Sequence, residues 1–326
     1  MVLRSLSRLP SQCFYKTCPS KMNQAGKGDD SPIFGRIVRK GSYFRSSDSR
    51  RIHRFHCLVC QKTFSQASSS RCFGQKKRRL NQKVGMLLDS GVSQREAAKF
   101  LRTTRTTIVR KFLFLGKKAL EKQTRFLQQA TTKDGLFENI QFDEMETFEH
   151  SKCLPLSIPL VVENGTQKIL GFRVCSMPAK GHLAQISRQK YGPRSDHRAA
   201  SASELFSELK EFISPTAIIK SDENPKYPSW IRSQFPDARH LTYKGRRGCV
   251  VGQGELKRGG FDPLFSLNHT AAMLRANINR LFRRTWCTTK QRERLALHIA
   301  LYVEKHNRRM TLKVERKKKT LLSLPA

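Results

Sequence analysis

Apolar positions in this chain fall into short blocks separated by polar and basic stretches. Past residue 136 the blocks predict strands over 137–143, 155–162, 168–175, 217–222 and 238–243. Asn164-Gly165, between the second and third, is a hairpin signal. Ser203 to Phe212 predicts a helix between the third and fourth strands, and Leu267 to Trp286 and Gln291 to Asn307 predict two long helices. Tyr243 to Gly260 is a Gly- and Lys-rich loop. Three strands able to form a meander, then helix, strand, helix, strand and helices, define an α/β class with a mixed sheet and flanking helices.

Residues 76–130 read as helical. Gly91 stops one helix, Ser93 can cap the next, and Glu96 three residues on completes a capping-box arrangement. Gln94 to Leu101 is followed by Thr103-Thr104-Arg105-Thr106-Thr107 and then Ile108-Val109-Arg110, the rhythm of a helix-turn-helix. Arg102, Arg105, Thr106 and Arg110 are its candidate DNA contacts. Residues 1–75 are short, polar and irregular; Asp29 to Gly41 carries turn punctuation, and Ile52 to Phe64 fits a strand entering a tight knuckle. Residues 311–326 read as a basic, frayed tail.

Charge changes the picture. Lys and Arg number 63 against 25 Asp and Glu, a net +38 spread along all 326 residues. Such an excess self-repels unless a polyanion neutralises it, so DNA or RNA is the expected partner. No apolar run approaches the ~20 residues of a membrane span, and the first ten residues lack the apolar core of a secretory signal. The expected location is therefore the cytoplasm.

Nine cysteines without a signal sequence point to reduced thiols and a metal site. Cys13-x4-Cys18 and Cys57-x2-Cys60 are two close pairs, the arrangement zinc uses, in a segment too small to fold on its core alone. His53 and His56 flank the second pair and could replace one ligand. Cys72, Cys153, Cys175, Cys249 and Cys287 read as small core residues or incidental ones.

Two aspartates close apolar runs: Asp143 in Phe142-Asp143-Glu144 and Asp222 in Lys220-Ser221-Asp222-Glu223. A carboxylate at the end of a buried strand is costly unless something uses it. Beside a polyanion, two such groups predict a magnesium or manganese site for phosphoryl transfer, provided that the two strands are neighbours. The competing reading is that each caps its own turn. For a third ligand Asn268, Asp262, Glu255 and Glu304 are all open. Arg275, Arg280, Arg283 and Arg284 on the expected 267–286 helix are candidate phosphate contacts, with Arg275, Arg283 and Arg284 broadly on one side.

On these residues the chain resembles bacterial insertion-sequence transposases that carry a zinc ribbon, a helix-turn-helix and a ribonuclease-H-like catalytic domain. The ribbon half is matched by Arg54 to Ser65, the strands by Phe142-Asp143-Glu144 and Lys220-Ser221-Asp222-Glu223, and the following helix by Leu274-Arg275, Arg280-Leu281, Arg283 and Thr285-Trp286. The resemblance implies a zinc ribbon at 1–75, a helix-turn-helix at 76–130, a ribonuclease-H-like domain at 131–310 and a self-associating enzyme. It further implies nicking at element ends and strand transfer by a carboxylate triad with magnesium. The family's third carboxylate lies seven residues before the Leu-Arg arginine; counted back from Arg275, that position is Asn268, which carries no charge. A degenerate inactive copy, a non-catalytic DNA-binding regulator and an RNA-processing nuclease are the rival readings.

Overall fold

The computed structural model describes residues 9–19, 37–46, 49–68, 70, 72–244, 262–282 and 287–322. The chain divides into two compact units, residues 1–82 and 83–326.

In the first unit, β1 (Ile37–Arg45), β2 (Arg50–Cys57) and β3 (Thr63–Ser65) form an antiparallel sheet in that order. Among the described residues its buried cluster is small: Ile37, Phe55 and Phe64 with Cys13, Cys18 and Cys57. So few side chains do not stabilise a fold without a staple. Within the stretch expected to turn, Ile37 to Gly41 instead belongs to β1. Gly41 sits at φ +76° beside the register shift between Arg39 and Ser42, so its turn chemistry produces a bulge within the strand.

Three helices follow: α1 (Leu80–Leu88), α2 (Gln94–Phe100) and α3 (Arg105–Asp134). Gly91 lies at φ +77° with Phe282 pressed against it, where an added Cβ would meet the ring at 2.9 Å. Ser93 Oγ accepts the Glu96 amide at 3.2 Å, while the Glu96 carboxylate takes Lys99 at 2.9 Å. The turn into α3 closes with Thr103 N–H donating to Ala98 O at 3.0 Å and Arg102 N–H to Lys99 O at 3.1 Å. That is a Schellman closure, with Arg102 at φ +46° where glycine is usual. Thr104 then caps α3 by accepting the Thr107 amide at 3.2 Å. α3 has 30 residues, so the expected boundary at 130/131 falls inside one continuous helix.

The second unit is built on a mixed sheet of β4 (Phe137–Phe148), β5 (Pro155–Glu163), β6 (Ile169–Phe172), β7 (Cys175–Ser176), β8 (Ile213–Asp222) and β9 (Arg239–Tyr243). The order is β6-β5-β4-β8-β9, with β7 paired to β5. β4, β5 and β6 make an antiparallel meander; β8 is parallel to β4, and β9 to β8. The Asn164-Gly165 hairpin is real but wider than a two-residue turn: Glu163 N–H donates to Lys168 O at 2.8 Å across four loop residues.

One face of the sheet packs α5 (Arg198–Leu209) and α6 (Tyr227–Gln234), with Phe142, Leu205, Phe206, Ile219 and Ile231 in a common core. The other packs α7 (Phe265–Asn277) and α8 (Arg292–Leu322) on Met145, Ile158 and Leu160. α4 (Leu183–Tyr191) is a polar helix that the hydrophobic pattern does not announce. At Gly116 an added Cβ would stand 2.8 Å from Leu297 Cβ, so this glycine permits the close contact of α3 with α8. Gln123 of α3 donates to Ile169 O and Leu170 O, each at 2.9 Å, and Asn307 of α8 accepts from Ile169 N–H at 2.8 Å. The outer edge of β6 is thereby satisfied by side-chain amides instead of another strand.

Two helix expectations need correction. The predicted 267–286 helix ends at Asn277; Ile278 is extended (φ −104°, ψ 109°) and a 3₁₀ turn spans Asn279–Leu281. The flanking asparagines compete with the backbone, Asn277 Nδ2 donating to Met273 O at 2.8 Å and Asn279 Nδ2 to Gly91 O at 3.2 Å. The expected frayed tail is helical through Leu322, and Lys133 of α3 pairs there with Glu315 at 3.3 Å.

Candidate functional site

β4 and β8 are neighbours, and their last paired rung is Gln141 with Lys220. Two residues further along both parallel strands, Asp143 comes level with Asp222. Asp143 is not at the end of its strand, as expected, because β4 runs on to Phe148; Asp222 does end β8. The crevice beyond the carboxyl end of a parallel strand is where open α/β sheets bind ligands. Burial pushes the Asp143 carboxyl up to about 6, and the nearby charge of Asp222 pushes the same way.

The turn-capping reading holds for Asp222, which bonds an amide of the turn that follows it, and not for Asp143, which lies within a strand. Asp143 Oδ1 accepts the Glu144 amide at 2.6 Å and the Tyr227 hydroxyl at 2.9 Å. Asp222 Oδ1 accepts the Asn224 amide at 3.1 Å. Tyr227, buried in the first turn of α6, also accepts from Glu144 N–H at 3.1 Å. Burial and the Asp143 charge raise its phenol well above the ordinary range, so it stays a donor. Glu144 is raised chiefly by burial and accepts from Ser157 Oγ at 2.6 Å. Arg198 opposes that rise and is itself held by Asp196 at 2.7 Å.

The sequence reading did not single out Tyr227, Ser157 or Arg198. Tyr227's signal is faint, an aromatic two residues after Pro225 and five after Asp222. Ser157 and Arg198 carry none, since their partners come from other strands and loops.

α7 is docked beside the pair by Gln141, which shares the Asp143 strand. Its Oε1 accepts Leu267 N–H at 2.8 Å and its Nε2 donates to Pro263 O at 2.9 Å. Asn268 is the next residue; it is exposed, and its amide donates to Asp262 Oδ2 at 2.9 Å. Asp262 Oδ1 in turn accepts Leu264 N–H at 2.9 Å, opening the helix. Glu304 is committed to Lys122 of α3, and Glu255 lies outside the described residues. Among the described residues, no third His, Cys, Asp or Glu joins the aspartates within 4.8 Å.

The four cysteines do converge. Cys13, Cys18, Cys57 and Cys60 place their sulfurs within 4.8 Å of one another, with Cys13–Cys60 at 3.7 Å and Cys18–Cys57 at 3.8 Å. These distances exclude disulfides and match the roughly 3.8 Å edge of a tetrahedron built on zinc–sulfur bonds of about 2.3 Å. Burial pushes the Cys13 thiol up to about 12 and raises Cys60 as well, so a cation is what would hold these two ionised. His56 is engaged elsewhere, with Nε2 at 3.0 Å from Gln61 Oε1. Cys153, Cys175 and Cys287 are buried and Cys72 is half-buried; Cys249 lies outside the described residues.

Arg102, Arg105, Thr106 and Arg110 are all exposed, around the turn and first turns of α3. The N-terminus of that helix adds its own positive potential. Arg275 is in α7, whereas Arg280 lies past the helix break, half-buried, and donates to Cys287 O at 3.4 Å and Thr288 O at 3.3 Å. Arg280 is thus a loop tie and not part of one helical cationic face; Arg283 and Arg284 lie outside the described residues. Among the described residues no helix is long and apolar enough to cross a membrane.

No described protein family matches the chain, and no curated protein matches it. Among solved structures, the crystal structure of the Mos1 strand transfer complex overlaps 74% of this chain and 82% of that one, at 11% identity and a TM-score of 0.24. That score lies below the level at which folds correspond.

Proposed function

We propose that the 83–326 unit is a divalent-metal-dependent DNA-cutting and strand-transferring enzyme of the transposase kind, on a ribonuclease-H-like sheet. The observation that carries this reading is Asp143 level with Asp222 on adjacent parallel strands. The meander followed by two parallel strands supports the fold assignment, and the net charge of +38 supports DNA as substrate.

Asp143 and Asp222 supply hard carboxylate oxygens suited to magnesium or manganese, and their mutual repulsion is what a dication relieves. When bound, the metal stabilises charge on the attacking and leaving oxygens of a phosphodiester. Tyr227 fixes Asp143 Oδ1, so Oδ2 is the oxygen a metal would take. The Asn268 amide is turned to Asp262, so its carbonyl oxygen is the candidate third ligand. Arg102, Arg105, Thr106 and Arg110 hold duplex DNA at the other end of α3, and Arg275 takes phosphate near the carboxylates. The cysteine quartet holds structural zinc. Insertion-sequence origin, self-association to join two element ends, and action on the bacterial nucleoid belong to the same proposal.

Nicking of supercoiled plasmid in magnesium or manganese tests it. Asp222→Ala is expected to abolish nicking while leaving duplex affinity within about twofold; full nicking by this variant would refute the metal role. The absence of a third acidic ligand among the described residues favours the non-catalytic regulator as second reading. A wild-type chain that binds duplex tightly and never nicks it would establish that alternative.

A further inference from the structure

The cysteine quartet needs only the knuckle end of the β1–β2 hairpin. Ile37, Phe55 and Cys57 pack there, and past the Gly41 bulge the two strands continue as a ribbon from Ser42–Arg45 paired with Arg50–His53. Ile52 is the sole buried residue in that distal part. Phe44 is 65% exposed and Tyr43 39% exposed, on opposite faces of an edge strand. An uncovered phenylalanine on a sheet edge is an aggregation liability unless a partner takes it.

The surroundings say which partner. Between Ile37 and Cys57 the sequence sets six cations, Arg39, Lys40, Arg45, Arg50, Arg51 and Arg54, against one acidic residue, Asp48. Arg51 stands directly across from Phe44 on the same face. The Arg54 guanidinium lies 5.9 Å from the centre of the Tyr43 ring. A ribbon of cations calls for a polyanion, and carboxylates on a protein partner would leave the rings unused. Two exposed rings on opposite faces offer too little apolar area on either side to make a membrane face. Unpaired bases use both features, because each offers an open π-face beside a phosphate. Paired bases hide those faces in the stack.

We propose that the distal β1–β2 ribbon is a binding surface for single-stranded nucleic acid, with Phe44 stacking on an unpaired base and Arg51, on the same face, gripping the adjoining phosphate. This surface uses none of the helix-turn-helix residues and does not depend on the carboxylate pair being catalytic.

The test uses the full zinc-loaded chain, a fluorescein-labelled twelve-nucleotide oligothymidine, a duplex of equal length and vesicles containing phosphatidylglycerol. Phe44→Ala should weaken oligothymidine binding about tenfold, the loss of one stacked base, with duplex binding and zinc content unchanged. Phe44→Trp should restore it. Arg51→Ala should lower the slope of log affinity against log salt by roughly one. Unchanged oligothymidine affinity in Phe44→Ala would overturn the proposal. So would an equal loss for strand and duplex, or a loss confined to vesicle binding.

Discussion

Asp143 should be a residue that the folded protein keeps at the expense of stability. Its carboxyl lies at 3.8 in an ordinary setting and about 6 in the fold, raised first by burial and then by Asp222. Folding therefore favours its protonated form. Above about pH 6 the ionised group opposes folding, and below about pH 4 it costs nothing. Multiplying the shift by 1.36 kcal/mol per pH unit gives about 3 kcal/mol lost at pH 7.5. Asp143→Asn removes the charge at constant shape. Its side-chain oxygen still accepts the Glu144 amide and the Tyr227 hydroxyl, so no buried donor is orphaned. In magnesium-free buffer the variant should melt roughly 5–10 °C above the wild type at pH 7.5 and coincide with it near pH 4. Magnesium should stabilise the wild type and leave the variant unmoved. Calorimetry across pH 4–8 measures all of this. A variant less stable than the wild type at pH 7.5, or more stable by the same margin at every pH, would show that the carboxylate is neither buried nor repelled as described.

Two further outcomes follow from other parts of the chain. Cys57→Ser should lower the zinc content from one per chain to none and make residues 1–82 protease-sensitive, while the transition of residues 83–326 is preserved; a variant that keeps its metal would remove the quartet from the fold's support. Arg102→Gly should raise stability by about 1 kcal/mol by relieving a positive φ, yet lower the salt slope of duplex binding by roughly one. An unaltered melting temperature would show that the turn carries no strain.

The strands were legible because their cores are apolar runs such as Ala217-Ile218-Ile219 and Leu160-Val161-Val162. The length of β4 was not, since Asp143-Glu144-Met145-Glu146 sets three carboxylates in a strand, residues that strands usually lack. Helix starts at Ser93 and Thr104 could be read from their hydroxyls. The stop at Asn277 could not, because it depends on Asn279 reaching Gly91, a contact far along the chain. The two aspartates and four cysteines announce themselves by residue type and spacing. Which strands pair is a long-range outcome, and so are the partners that pairing brings. Tyr227 reaches Asp143 only because α6 folds over the sheet, and no local pattern encodes that.

Helix α3 has an implication of its own. Its first turns expose Arg105, Thr106 and Arg110, while Leu127 lies in the sheet core and Gln123 ties the same helix to β6. Thirty residues at 1.5 Å each make a rod about 45 Å long, braced near its middle where Gly116 meets Leu297. Such a rod works as a ruler. Under the proposed reading, DNA at its tip would stand at a set offset from the carboxylates, and lengthening the helix by two residues would swing the tip about 200° and turn its grip to the wrong side.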